Sequence, residues 1–288
     1  MSSIWRPIRE RNPARSLMVV VAHPGDEAFG FAGAIATAVA SGAYVVVVCA
    51  TRGYFDSRLV EKPPAPGGKN RPFNRPIVWR NLDTVREDEL RRSVALLGVR
   101  VLRMLDYAEG DLASADFEEL TGRIVEPIRM HRPEVILTFG ADGATGDQEH
   151  TIVSRATTLA FERAGHPLAY EDDLEEDQVA WRTAKLYHLI VPQSAVGLLG
   201  DHAPADGYGS SDTEGSLELA LDDLVSLKLA AIARHVSQVG SEGPFAGWDP
   251  EARDRYLATE HYRLVRSNVA IPAGLLQQPE ASLFDGLP

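Results

Sequence analysis

The chain has 288 residues, 44% of them hydrophobic, enough for one large α/β domain or two modest ones with a full core. A net charge of −12 argues against nucleic acid and anionic membrane as partners. The single cysteine, Cys49, excludes an intrachain disulfide and suits a reducing compartment. The apolar run after the basic N-terminus, "LMVVVA", is too short to span a membrane or to read as a signal peptide, so a cytoplasmic protein without a transmembrane segment is expected.

Residues 1–15 read as an N-terminal extension. "SLMVVVA" (16–22) and "YVVVVCAT" (44–51) are valine-rich runs, the pattern of strands buried on both faces. Between them, Phe29, Ile35 and Val39 recur at helical intervals and predict a helix over 28–41, ending near Gly42. "VLRMLD" (101–106) and "VILTFG" (135–140) predict two more strands, preceded by amphipathic helices over 82–97 and 115–130. "KLYHLIV" (185–191) predicts a fifth strand, and a long helix is expected near 217–238. This alternation predicts one α/β domain over 1–288, three-layered and Rossmann-like, with a mainly parallel sheet and helices on both faces. Two long loops, 54–80 with Arg71, Arg75 and Arg80, and 192–216, read equally as lids or as disorder. The acidic stretch 171–177 reads as a solvated loop.

In an open parallel sheet, ligands bind beyond the carboxyl ends of the strands. His23 and Asp26 follow the first predicted strand, and "DGATGDQEH" (142–150) follows the fourth, so His23, Asp26 and His150 are able to converge. Two imidazoles and a carboxylate suit a catalytic divalent metal, with zinc favoured and a non-haem Fe(II) triad as a rival. The competing reading is that His23 and Asp26 merely cap the helix over 28–41. Gly25, Gly30 and Gly33 do not form G-x-G-x-x-G, and no G-x-S-x-G occurs, which argues against a dinucleotide-binding enzyme and a serine hydrolase.

"AHPGDE" (22–27) resembles the AHPDDE motif of the LmbE-like/PIG-L family of zinc-dependent N-deacetylases. Further similarities follow in order: "TRG" (51–53), Arg86 and Glu89 in "VREDEL", "LDYAEGDL" (105–112), "DGATGDQEH", "LKLAAIARHVSQ" (227–238) and "PEASLFDGL". The resemblance implies His23, Asp26 and His150 as metal ligands, Zn2+ as cofactor (Fe2+ or another divalent ion being alternatives), and an N-acylated amino sugar or glycoside as substrate. It leaves room for a homo-oligomer. Arg86, Glu109 and Asp111 become candidate substrate-binding residues. Arg86 otherwise reads as a surface residue paired with Glu89, and Glu109 and Asp111 as a simple turn. His235 and Gln238 read as packing or helix-end residues.

Two departures stand out. The family's aspartate after "HP", its general base, is Gly25 here, and the first histidine of its H-P-D-H stretch is Asp147. A missing base costs about 10²–10⁴-fold. Asp147 or Glu149 is therefore the expected catalytic carboxylate of a working hydrolase. The alternative is a metal-binding pseudoenzyme or glycoside-binding protein without turnover.

Overall fold

The computed structural model describes residues 15–53, 82–144, 146–170, 179–198, 209–239, 247–270 and 280–288. The loop expected over 54–80, the acidic stretch 171–177, most of the N-terminal extension and residues 199–208 of the second loop lie outside the described residues.

The continuous apolar runs form the centre of the sheet. β1 (Ser16–Val21), β2 (Tyr44–Thr51), β3 (Val101–Tyr107), β4 (Val135–Phe139) and β5 (Lys185–Ile190) run parallel in the order β3-β2-β1-β4-β5. β1 and β2, buried on both sides, have no polar face to alternate, which is why valine fills successive positions, whereas the edge strand β3 leaves Arg103 and Asp106 exposed. β6 (Leu217–Ala220) and β7 (Thr259–Ser267) extend the sheet antiparallel beyond β5, giving β5-β7-β6 at that edge.

The helices are α1 (Asp26–Phe29), α2 (Ala32–Ala40), α3 (Leu82–Leu96), α4 (Phe117–His131), α5 (Gln148–Ala164), α6 (Gln193–Val196), α7 (Val225–Ile232) and α8 (Pro250–Leu257). α4 and α5 pack on one another, with α5 also against β1, β4 and β5, while α7 packs against α1, α2 and α3. Asp116 caps α4, its side chain accepting from Glu118 N and Glu119 N. No helix among the described residues is long and apolar enough to cross a membrane.

Two expectations need correction. The helix expected over 28–41 is two helices, broken at Gly30 and Phe31, and the first has only four residues, too short for a useful macrodipole. The long helix expected near 217–238 is strand β6, a 3-10 turn over Asp222–Leu224, the eight-residue α7, and then turns. Leu217 and Leu219 are buried while Glu218 and Ala220 are exposed, a period of two that makes a strand.

β1 hydrogen-bonds to β2 on one side and β4 on the other, so the strand order reverses between β1 and β4. The crevice beyond their carboxyl ends is where such sheets hold ligands. The turn after β1 and the N-terminus of α5, which follows β4, both open there.

Candidate metal centre

His23, Asp26 and His150 come together at this crevice. One potential ligand atom from each lies within 4.8 Å of the others. His23 Nδ1 is 3.3 Å from His150 Nε2, and Asp26 Oδ1 is 3.3 Å from the same nitrogen. Both imidazoles are 7% exposed, so the donors are dry enough for a cation to be held strongly.

The outer nitrogen of each ring is fixed. His150 Nδ1 donates to the Gly143 carbonyl at 3.0 Å, and a carbonyl only accepts, so Nε2 is the atom left to face the centre. His23 Nε2 donates to Glu149 Oε2 at 2.7 Å, leaving Nδ1 inward. A carboxylate or carbonyl behind a ligating histidine sets its tautomer and raises its basicity. The Phe139 ring at the end of β4 stacks on His150, centroids 4.0 Å apart and 5° from parallel, and fixes the ring plane.

The electrostatics ask for a positive charge. Burial opposes the ionised form of Asp26, but the neighbouring His150 and His23 outweigh it and hold the carboxyl at about 2. Burial likewise opposes a charged His150, yet the charge and hydrogen bond of Asp26 raise it to about 9. His23 is also raised, the Glu149 hydrogen bond and the Asp26 charge outweighing desolvation. Two imidazoles drawn toward protonation around one carboxylate are a donor set that fits a divalent cation.

The capping alternative for His23 and Asp26 does not hold. Gly25 occupies the N-cap of α1, and Asp26 Oδ2 accepts from the backbone N–H of His23 at 2.7 Å, closing the turn backwards. Asp147 is the true cap. Its Oδ1 accepts from Glu149 N at 2.7 Å and His150 N at 3.1 Å, so it starts α5 and sets the first-turn position of His150.

The other predicted residues divide. Glu149 is buried and accepts from His23, from Gly110 N at 3.0 Å and from Leu112 N at 2.8 Å. Although burial raises its pKa, these donors hold it below the ordinary range, which suits a fixed support. Arg86 is not a surface residue: it is 8% exposed and pairs with Glu109, not Glu89, while its Nη2 donates to the Pro24 carbonyl at 3.1 Å. Asp111 stays exposed on the turn whose N–H groups hold Glu149.

The supports from the C-terminal third were not legible in the sequence as such. In the turns after α7, His235 Nε2 meets Glu27 Oε1 at 2.7 Å, and Glu27 Oε2 accepts from Gly25 N at 2.9 Å. Ser237 donates through N and Oγ to the buried Glu89, at 2.7 and 2.6 Å. Gln238 Nε2 donates to the Pro24 carbonyl at 2.7 Å. The ordered H-x-S-Q residues were the available signal, and their partners lie 148–214 positions away.

Comparison with known proteins fits this geometry. The family profile described as PIG-L, GlcNAc-PI de-N-acetylase, matches residues 18–161. The chain is similar to a 1D-myo-inositol 2-acetamido-2-deoxy-alpha-D-glucopyranoside deacetylase of Geodermatophilus obscurus, 30% identical over 310 residues, covering 96% of this chain and 99% of the relative. A protein of the same name from Streptomyces griseus subsp. griseus is 29% identical, covering 96% of this chain and 90% of the relative. Among solved structures, N,N'-diacetylchitobiose deacetylase from Pyrococcus horikoshii matches with a TM-score of 0.64 and 18% identity, over 87% of this chain and 84% of that one, a likeness of fold.

Proposed function

The chain belongs to the PIG-L family of GlcNAc-PI de-N-acetylases, and we propose that its His23–Asp26–His150 centre serves hydrolysis of the N-acetyl amide of an amino sugar joined to a small polyol or second sugar. The observation that carries this reading is the buried pair of imidazoles around one carboxylate at the switch point of the sheet, each ring locked from behind. The substrate class rests on relatives named for a 2-acetamido-2-deoxyglucopyranoside of inositol, aligned along nearly the whole chain.

Zn2+ fits the three donors, and a divalent ion held there supplies a Lewis acid for the amide carbonyl and a water acidified toward neutrality. Glu149 holds His23 in its ligating tautomer and is a positioning residue in this reading. Asp147 is assigned the proton transfer: Oδ1 caps α5, and Oδ2 is left to take a proton as water adds to the acyl carbon. The C–N bond then breaks, acetate departs, and the proton goes to the amine. Arg86 and Glu109, paired beside the Pro24 carbonyl, are assigned to sugar hydroxyls at the rim. The cytoplasm, where small glycosides are at hand, is the compartment we assign.

A second reading, ligand binding without turnover, has Gly25 in its favour, since no side chain at that position is able to act as a base. Acetate release from N-acetylglucosaminyl glycosides, including the inositol glycoside, separates the two. Turnover that needs bound metal supports the hydrolase. Saturable glycoside binding with no acetate from metal-loaded protein overturns it.

A further inference from the structure

Gly25 has φ of +113°, which L side chains rarely adopt, and it is buried at the N-cap of α1 between two metal-ligand candidates. The space a side chain would need is already filled. A Cβ on Gly25 would lie 2.8 Å from Gln238 Oε1, 2.9 Å from Nε2 and 3.2 Å from Cδ. The obstacle is a carboxamide brought in from a turn 213 positions further along the chain.

That carboxamide is held in place. The two anchored neighbours precede it in the turn, His235 on Glu27 and Ser237 on Glu89. Glu27 in turn accepts from Gly25 N, so the same network grips the glycine and the turn that covers it. The amide orientation follows from chemistry. The Pro24 carbonyl only accepts, so the nitrogen is the atom on it; both ends of the carboxamide lie over Gly25, and Oε1 is the end left to accept. Oε1 is a neutral acceptor with no hydrogen bond to the described residues, and Gln238 is half-buried rather than sealed in the core.

We propose that Gly25 and Gln238 are one coupled unit, in which the Gln238 carboxamide fills the side-chain space of residue 25 and presents Oε1 as the acceptor for the N–H of the substrate's acylamino group. The assignment of the donor rests on the deacetylase reading; the coupling of the two residues does not. Gln is neutral and does not take a proton, so the unit binds and orients the amide and leaves proton transfer elsewhere.

The test is a double-mutant cycle on the full chain with Gly25→Ala, Gln238→Ala and Gln238→Met, reading melting temperature, bound zinc per chain and deacetylation. Gln238→Ala keeps the fold and zinc, because Arg86 still holds the Pro24 carbonyl. Its kcat/KM falls roughly tenfold, the scale of one lost hydrogen bond. Gln238→Met, which keeps the bulk and removes the acceptor, shows the same loss. Gly25→Ala lowers melting temperature and zinc content. Adding Gln238→Ala recovers part of both, and adding Gln238→Met recovers neither. Additive melting shifts for Gly25→Ala and Gln238→Ala overturn the coupling, whether or not the protein turns over any glycoside. Wild-type kcat/KM in both Gln238 variants overturns the acceptor role. An inactive wild-type protein contradicts the deacetylase reading, while the melting and zinc cycle still decides the coupling.

Discussion

The parallel half of the sheet and the C-terminal third build the same site by different means. β1 and β4 deliver the candidate ligands: His23 and Asp26 on the turn after one, His150 on the helix after the other. Among the described residues the C-terminal third adds no candidate ligand, yet its His235, Ser237 and Gln238 hold Glu27, Glu89 and Pro24 around that turn. The first region sets which atoms meet, and the second sets how rigidly they are held. Substitutions should therefore separate, those in the first region changing chemistry and metal, those at His235 and Ser237 in the second changing stability, with Gln238, the proposed amide acceptor, standing apart from both.

The largest effect outside the ligands is expected at Asp147. Asp147→Ser keeps a capping oxygen and removes the carboxylate, so kcat falls about 10²–10⁴-fold while melting temperature stays near wild type. Asp147→Ala should show the same loss of kcat and also lose about 1 kcal/mol of stability with the cap. Steady-state kinetics beside thermal melts checks this, and an active Asp147→Ser variant would remove the assignment.

Glu149→Gln comes next. It weakens the acceptor behind His23, and loss of such a partner costs about 10–100-fold in metal affinity. Competition against a chromophoric chelator reads it. A fall in kcat at full metal occupancy, with affinity unchanged, would instead make Glu149 a participant in the reaction.

Metal uptake should depend on pH through the same ligands. The folded pKa of His150 is raised above 6.5 to about 9, so its protonation stabilises the metal-free protein fully below pH 6.5 and is lost as pH rises through 9. Metal must displace that proton. Apparent affinity therefore climbs with pH up to about 9, by about tenfold per unit for each proton released. An affinity flat from pH 6.5 to 9 would contradict this.

The smallest expected effect belongs to the C-terminal third. His235→Ala leaves Oε1 of the fully buried Glu27 without its partner, Oε2 keeping the Gly25 N–H, and should cost about 1–3 kcal/mol, read by denaturant unfolding. A drop in metal affinity larger than that of Glu149→Gln would erase the distinction between the two regions.

The same two regions differ in how much their sequences reveal. Strands expected at 16–22, 44–51, 101–106, 135–140 and 185–191 end within a residue of those observed; β1, β2, β4 and β5, buried on both faces, write their burial as an apolar run, and the part-exposed edge strand β3 still carries Val101, Leu102, Met104 and Leu105. β7 carries no such run. Its inward positions include Glu260, whose carboxylate accepts from Gly33 N and Ala34 N at the start of α2 and from Lys228 and Tyr262. A buried acid satisfied by four donors, three of them 32, 226 and 227 positions away, looks like a surface residue in the sequence. β6 is short, and its leucine alternation was hidden by the helix-forming residues after it. At the site, the meeting of His23, Asp26 and His150 was legible from family motifs and the strand-end rule. The part of Glu149 was not, because its donors come from residues 37, 39 and 126 positions away.

The most direct test of the centre is a zinc titration of metal-stripped wild-type protein beside His150→Ala, with elemental analysis of both. The account predicts one zinc per wild-type chain and a loss of binding of at least about tenfold in the variant, with acetate release following the bound metal. Wild-type protein that takes up no stoichiometric zinc or other divalent metal, or a His150→Ala variant that binds as tightly, would contradict it.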